Sequence, residues 1–228
     1  MTVAENVQSF GPENPYHLGK ELGRGGFGVV HLCTDTRTGD LVACKVVERA
    51  NESSHGDIEE EIRLMRQLNK LAAPGIVTLK DTFEDRGKVY LIMELAAGGD
   101  LHKYICRQPD QRLEETIAAG ILAQVVQALV FLHRQARVIH RDLKPKNILL
   151  LERPIYLAGG TWLSSPIFKA GNKDRSDIPT VKIADFGRAM VLTEGEMATG
   201  LVTTYQVRRK PSHSSILRPE SHFHGAQF

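Results

Sequence analysis

A chain of 228 residues, 42% hydrophobic and 25% charged, has the ordinary balance of a soluble globular protein, with room for one domain or two small lobes sharing a cleft. A formal net charge of +2 argues against a dedicated nucleic-acid binder; no apolar run nears the ~20 residues of a membrane span, and residues 1–10 show no secretory pattern, so neither nucleic-acid nor membrane partners are expected. Three widely spaced cysteines (Cys33, Cys44, Cys106), without metal-ligand spacing, read as reduced packing residues of a cytoplasmic or nuclear protein.

Residues 1–15, with Gly11, Pro12 and Pro15, predict a flexible leader. From 16 to 47 the chain carries short β-rich runs broken by glycine: a strand at 18–22, a glycine turn, a strand at 29–34, a hairpin turn at Thr38-Gly39-Asp40, and a strand at 41–47. Residues 57–71 predict a helix, with Ile58, Ile62, Met65 and Leu68 at helical spacing and Glu59 to Glu61 in its first turn. Pro74-Gly75 ends it, and strands at 76–83 and 88–94 follow around a charged turn at 84–87. After Gly98-Gly99 the pattern turns helical. A short helix starts at Asp100, and a long one at 113–134 carries the stripe Ile117, Ile121, Val125, Leu129, Leu132. The join between a β-rich and a helical half falls at 95–99, and no internal repeat is visible. Residues 152–180 and 195–228 lack periodicity and fit a compact domain poorly.

Gly23-Arg24-Gly25-Gly26-Phe27-Gly28-Val29-Val30 contains G-x-G-x-x-G, a spacing that lets backbone N–H groups approach phosphate oxygens, though a plain glycine-rich turn would read the same. A dinucleotide-binding fold would need a helix after the last glycine; the run Val29-Val30-His31-Leu32 continues as a strand instead. Lys45 closes the apolar Val42-Ala43-Cys44 and is either a snorkelling surface lysine or a cation aimed at phosphates, with Glu61 on the next helix as its natural partner. His140-Arg141-Asp142-Leu143-Lys144-Pro145-Lys146-Asn147 precedes the apolar 148–151. Phosphoryl transfer needs a carboxylate for the substrate hydroxyl and oxygen ligands for Mg²⁺; Asp142 suits the first and Asn147 part of the second, while Lys144 can neutralise the transferring group. Asp185-Phe186-Gly187 after Val181-Lys182-Ile183-Ala184 adds a second metal-binding carboxylate; alone, it would read as a common tight turn.

Together these motifs resemble the protein-kinase signature set, in the same order, over residues 16–208. The resemblance implies an α+β, protein-kinase-like fold: a β-rich N-lobe (16–95) and an incomplete, mainly helical C-lobe (96–208) with an insertion at 152–180, then a divergent tail (209–228). It implies ATP and Mg²⁺ as cofactors and a protein hydroxyl as substrate. Asp142 would be the catalytic base, Lys45 would pair with Glu61, and Asn147 and Asp185 would bind metal. Gly23, Arg24, Gly25, Gly26, Phe27 and Gly28 would cover the phosphates, and Leu22, Val30, Ala43 and Leu149 would sandwich the adenine. Met93 would be the gatekeeper, the backbone of Glu94 and Ala96 would bind the adenine edge, and Met65, Leu79, His140 and Phe186 match the regulatory spine. Lys144, two residues past the catalytic aspartate, resembles the Ser/Thr class. The runs 60–65 and 98–101 resemble calcium/calmodulin-kinase-like proteins, whereas 203–208 resembles the end of another group's activation segment; the subgroup stays open. Thr193, Thr199, Thr203, Thr204 and Tyr205 could include an activating phosphosite, with Arg141 as its partner.

The resemblance breaks twice. Residues 152–180, with the sole tryptophan Trp162, stand where the family has a short hairpin. After Arg208, Arg209-Lys210-Pro211 replaces the expected Ala-Pro-Glu-like sequence. Three readings therefore stay open: an active Ser/Thr kinase, a catalytically impaired ATP-binding or regulatory module, and an unstable truncated fragment.

Overall fold

In the run Val89-Tyr90-Leu91-Ile92-Met93, successive side chains turn to opposite faces, as strand geometry demands, and both faces are apolar. This strand therefore belongs in the middle of a sheet covered on both sides. The computed structural model, which describes residues 8–10, 14–25, 28–49, 52–152, 155–156, 162–163 and 178–192, places it there. β1 (Gln8–Ser9), β2 (Tyr16–Gly25), β3 (Gly28–Asp35), β4 (Leu41–Glu48), β5 (Leu79–Asp85) and β6 (Lys88–Glu94) form one antiparallel sheet in the order β1-β2-β3-β4-β6-β5. Val89 and Leu91 join the main core, whereas Tyr90 and Ile92 join a second cluster with Tyr16, Leu18, Cys33, Val42 and Cys44.

Within the leader expected at 1–15, only residues 8–10 and 14–15 are described, and there Gln8 and Ser9 form β1, pairing with Leu18 and His17. Its anchor is Phe10, edge-on to Phe83 and Tyr90 at 4.9 and 4.8 Å between ring centres; a lone aromatic has no periodicity to betray it. The turn between β5 and β6 is shorter than the expected 84–87. Arg86 and Gly87 both have positive φ (47° and 72°), the two-residue geometry whose twist matches the flanking strands.

Helix α1 (Glu52–Lys70) starts five residues before the expected boundary. Its inward residues Ile58, Glu61, Leu64, Met65 and Leu68 are buried. Asn69 holds α1 to β5, its Nδ2 donating to the carbonyl of Leu79 at 2.5 Å.

In the second half, β7 (Gly99–Asp100) leads into α2 (Leu101–Cys106), where Asp100 caps the helix by accepting from the Lys103 N–H at 2.8 Å. Helix α3 (Glu115–Phe131) widens into a π turn at Leu132–Ala136. Together, Glu115–Ala136 is 22 residues long and apolar enough, by length and composition, to cross a membrane, which corrects the expectation that no apolar run nears that length. Interspersed Gly, Ala and Gln broke the run to the eye, but charges stand only near its ends, at Glu115 and Arg134. One side of it is core: Ile121, Val125, Ala128 and Leu132 are buried.

Beyond α3, β8 (Val138–Ile139) pairs with β13 (Met190–Val191), and β9 (Ile148–Leu150) lies between β7 and β12 (Val181–Ile183). β10 (Ile155–Tyr156) and β11 (Trp162–Leu163) form a separate hairpin within the expected insertion. The insertion's end returns across α3. A Cβ on Gly120 would lie 2.3 Å from Ile178, and the Gln124 side chain donates to the Pro179 carbonyl (2.9 Å) while accepting from the Val181 N–H (3.1 Å). That docking starts β12, whose far end delivers Ala184 and Asp185.

Candidate active site

Period two puts Ala43 and Lys45 on one face of β4. Across β3 they meet Leu32 and Val30, and across β6 they meet Met93 and Leu91. Ala43 is buried, Val30 half-buried, and Met93 half-buried against the main core. Leu22 sits exposed at the rim, and Leu149 on β9 is half-buried opposite Lys182 of β12. The carbonyl of Ala96 accepts from the Gly99 N–H at 3.2 Å, bending the chain just after β6.

The hairpin of β2 and β3 pairs Gly23 with Val30 and Gly25 with Gly28; Gly26 and Phe27, at its tip, lie outside the described residues. Gly28 has φ +132°, and a Cβ there would lie 2.3 Å from the Val46 carbonyl oxygen. Only glycine lets the backbone settle this close to β4. Arg24 turns to Glu21 at 2.9 Å in an exposed pair.

Lys45 is drawn inward rather than snorkelling. Its Nζ donates to both oxygens of Glu61 at 2.8 and 2.9 Å and to Oδ1 of Asp185 at 3.2 Å. The Lys45 and Glu61 side chains keep only 8% and 4% of their exposure. Burial alone would lower the lysine pKa, but the charges of Glu61 and Asp185 outweigh it and hold the ammonium above its ordinary value. Asp185 reaches this position with φ +66°, left-handed backbone that a non-glycine residue keeps only when its surroundings impose it. Phe186, fully buried beside the His140 ring (5.0 Å between centres), is one such constraint.

The second group forms around Asp142, a buried carboxylate. Its Oδ2 accepts from Lys144 Nζ at 2.6 Å and from Asn147 Nδ2 at 3.1 Å; the same Nδ2 also donates to the Asp142 carbonyl at 2.9 Å. His140 supports it from below: the Asp142 N–H points at Nδ1 (3.3 Å), which leaves Nε2–H to donate to the Ala184 carbonyl at 3.0 Å. Burial lowers the His140 pKa against the opposing pull of Ala184, Asp185 and Asp142, so the ring is neutral at physiological pH. Arg141, at φ +61°, donates to the Arg188 carbonyl at 2.6 Å.

The two groups meet through Ala184. Its N–H donates to the Asn147 carbonyl at 2.9 Å, so Asn147 and the residue before Asp185 are locked together. Because Asn147 commits its amide nitrogen to Asp142, its amide oxygen is the atom it can offer a cation. With the Asp185 carboxylate this makes a hard oxygen pair, which fits Mg²⁺. The expected residues thus assemble into one triad (Lys45, Glu61, Asp185) and one cluster (Asp142, Lys144, Asn147). Met65, Leu79, His140 and Phe186 are all buried. The hydroxyls at 193–205 and the tail after Arg208 lie outside the described residues. Beyond the backbone role expected of Glu94, its side chain receives Lys182 Nζ at 2.5 Å. Two opposite charges ending or interrupting apolar strands were the available signal.

A family model described as "Protein kinase domain" matches residues 16–208. Calcium-dependent protein kinase 26 of Oryza sativa subsp. japonica is 36% identical over 190 residues, 82% of this chain and 30% of the relative. Calcium-dependent protein kinase 17 of Arabidopsis thaliana is 38% identical over 190 residues, 82% of this chain and 31% of the relative. Calcium-dependent protein kinase 34 of the same plant is 43% identical over 144 residues, 62% and 27% of the two chains. The chain therefore spans about 30% of the length of the first of these.

Proposed function

The chain belongs to the protein kinase family, and from that premise we propose that it transfers the γ-phosphoryl group of MgATP to a serine or threonine hydroxyl of a protein. The observation that carries this reading is the buried Lys45–Glu61 pair with the partly exposed Asp185 against it, a cation placed between two carboxylates at the end of an otherwise apolar strand. On this reading residues 16–95 are the nucleotide lobe and 96–208 supply the catalytic loop, in a protein of the cytoplasm or nucleus.

Lys45 holds α- and β-phosphate oxygens, kept in place by Glu61. The narrow hairpin at Gly25 and Gly28 brings backbone N–H groups onto the phosphates. Ala43, Val30, Leu22 and Leu149 enclose the adenine, whose edge meets the backbone at Glu94 and Ala96. Asn147 and Asp185 would hold Mg²⁺, which when bound neutralises charge on the phosphates. Asp142 orients the substrate hydroxyl and takes its proton as the oxygen–phosphorus bond forms and the bond to the ADP oxygen breaks. Lys144, 2.6 Å from Asp142, balances charge on the group in flight.

Asp142→Asn is expected to abolish transfer from MgATP to Ser/Thr peptides while nucleotide binding persists. Turnover like the wild type in that variant would sink the assignment. A second reading, an ATP-holding regulatory module without transfer, draws on the outer face of α3. There Leu122, Val126 and Val130 are exposed in a row, a surface suited to a partner chain.

A further inference from the structure

Lys182 stands in β12 between two fully buried neighbours, Val181 and Ile183. A lysine that snorkelled from such a strand would carry its ammonium into water. This one keeps 21% of its side-chain exposure and ends on Glu94 Oε1 at 2.5 Å, a carboxylate itself only 22% exposed. The same Oε1 accepts from the Thr78 N–H at 2.7 Å, and the Glu94 N–H donates back to the Thr78 carbonyl at 3.0 Å. Thr78 closes a stretch already zipped to β12: Val77 N–H donates to Ile183 O at 3.0 Å, and Ile183 N–H to Gly75 O at 2.8 Å. Burial pushes the Glu94 carboxylate up, but the Lys182 ammonium and the Thr78 N–H outweigh it and hold the group below the ordinary carboxylate range.

One carboxylate thus ties three segments: the end of β6, the crossing chain 75–78, and the strand that reaches Asp185 three residues later. We propose that the Glu94–Lys182 ion pair is a positioning brace that fixes the adenine-side backbone of β6 relative to the strand delivering Asp185, so that breaking it weakens nucleotide binding at a distance. Glu94 and Lys182 act here through the backbone and through Asp185, and the inference rests on the MgATP reading above. Glu94→Gln keeps an oxygen for Thr78 and removes only the charge, which separates the brace from the local turn.

The test is calorimetric titration of the whole chain with the Mg²⁺ complex of a non-hydrolysable ATP analogue. The wild type is compared with Lys182→Met, Lys182→Arg, Glu94→Gln and the double variant Lys182→Met/Glu94→Gln, with thermal unfolding of each recorded without ligand. Each neutralising single variant is expected to bind about fivefold more weakly, the double variant no worse than either single, and Lys182→Arg within about twofold of wild type. Unchanged affinity in Lys182→Met, with the wild type binding, overturns the inference alone. Additive losses in the double variant overturn it too. So does a loss that follows the unliganded melting temperature and is not restored by arginine, for the pair is then merely structural. A wild type that binds no nucleotide fails the MgATP reading and the inference with it.

Discussion

The two halves of the molecule solve the same burial problem differently. In the sheet half, β6 turns Leu91 into one core and Ile92 into another, and both are fully buried, because α1 covers one face and the aromatic group Phe10, Tyr16, Phe83 and Tyr90 covers the other. In the helical half, α3 is also apolar, but among the described residues only one side of it is covered: Leu122 is 61% exposed, Val126 47% and Val130 46%. Stability therefore concentrates in the sheet half and at the seam, where Phe186, His140, Lys45 and Glu61 lie. Removal of apolar surface from water contributes roughly 25 cal/mol per Å², and the half-exposed outer stripe of α3 contributes less of that kind than the buried stripe within the described residues.

The comparison can be broken or sharpened by substitution. Phe186→Ala, at the seam, is expected to cost about 3–5 kcal/mol, and Leu91→Ala, within the sheet, about 2–5 kcal/mol, measured by urea unfolding. A loss below 1 kcal/mol at either would mean that the core is not packed as described. Glu61→Gln removes the charge of one of the two carboxylates that face the buried Lys45 and should cost about 3 kcal/mol; it should also weaken nucleotide binding, which a purely structural pair would not do. His140 gives a pH signature. Its folded pKa is depressed, so the unfolded chain binds the proton first: the contribution is complete above the unfolded value near 6.5 and is lost as pH falls toward the folded one. The expected slope approaches ~1.4 kcal/mol per pH unit in that window, and His140→Gln should flatten it. Leu122→Gln and Val126→Gln, by contrast, should change stability by no more than about 0.5 kcal/mol and raise solubility. A large loss there would show that the outer face of α3 is covered after all.

Much of the site was legible because its chemistry needs charged residues where apolar ones are otherwise expected. Lys45 ends an apolar strand and Glu61 falls on the inward stripe of α1, and the two pair as expected; Asp142 and Asp185 flank apolar runs, but nothing in the pattern announced their contacts with Lys144 and Lys45. The central strands were legible as continuous apolar runs. The remainder depends on contacts between residues far apart in the chain, which local pattern does not encode. Phe10 holds β1 through rings more than seventy positions away. Gly120 leaves space on α3 that Ile178, far along the chain, occupies. Lys182 meets its partner Glu94 across 88 positions of sequence. Helix α1 began earlier than expected because Glu52 to Asp57 carry no apolar periodicity to announce a helix.

The most direct test of a nucleotide site at the seam is thermal unfolding of the 228-residue chain with and without MgATP, with Asp185→Asn alongside. The account predicts one cooperative transition that rises with MgATP, and rises less in the variant, because ligand bound only to the folded form stabilises it. A transition that MgATP leaves unmoved in the wild type would contradict it.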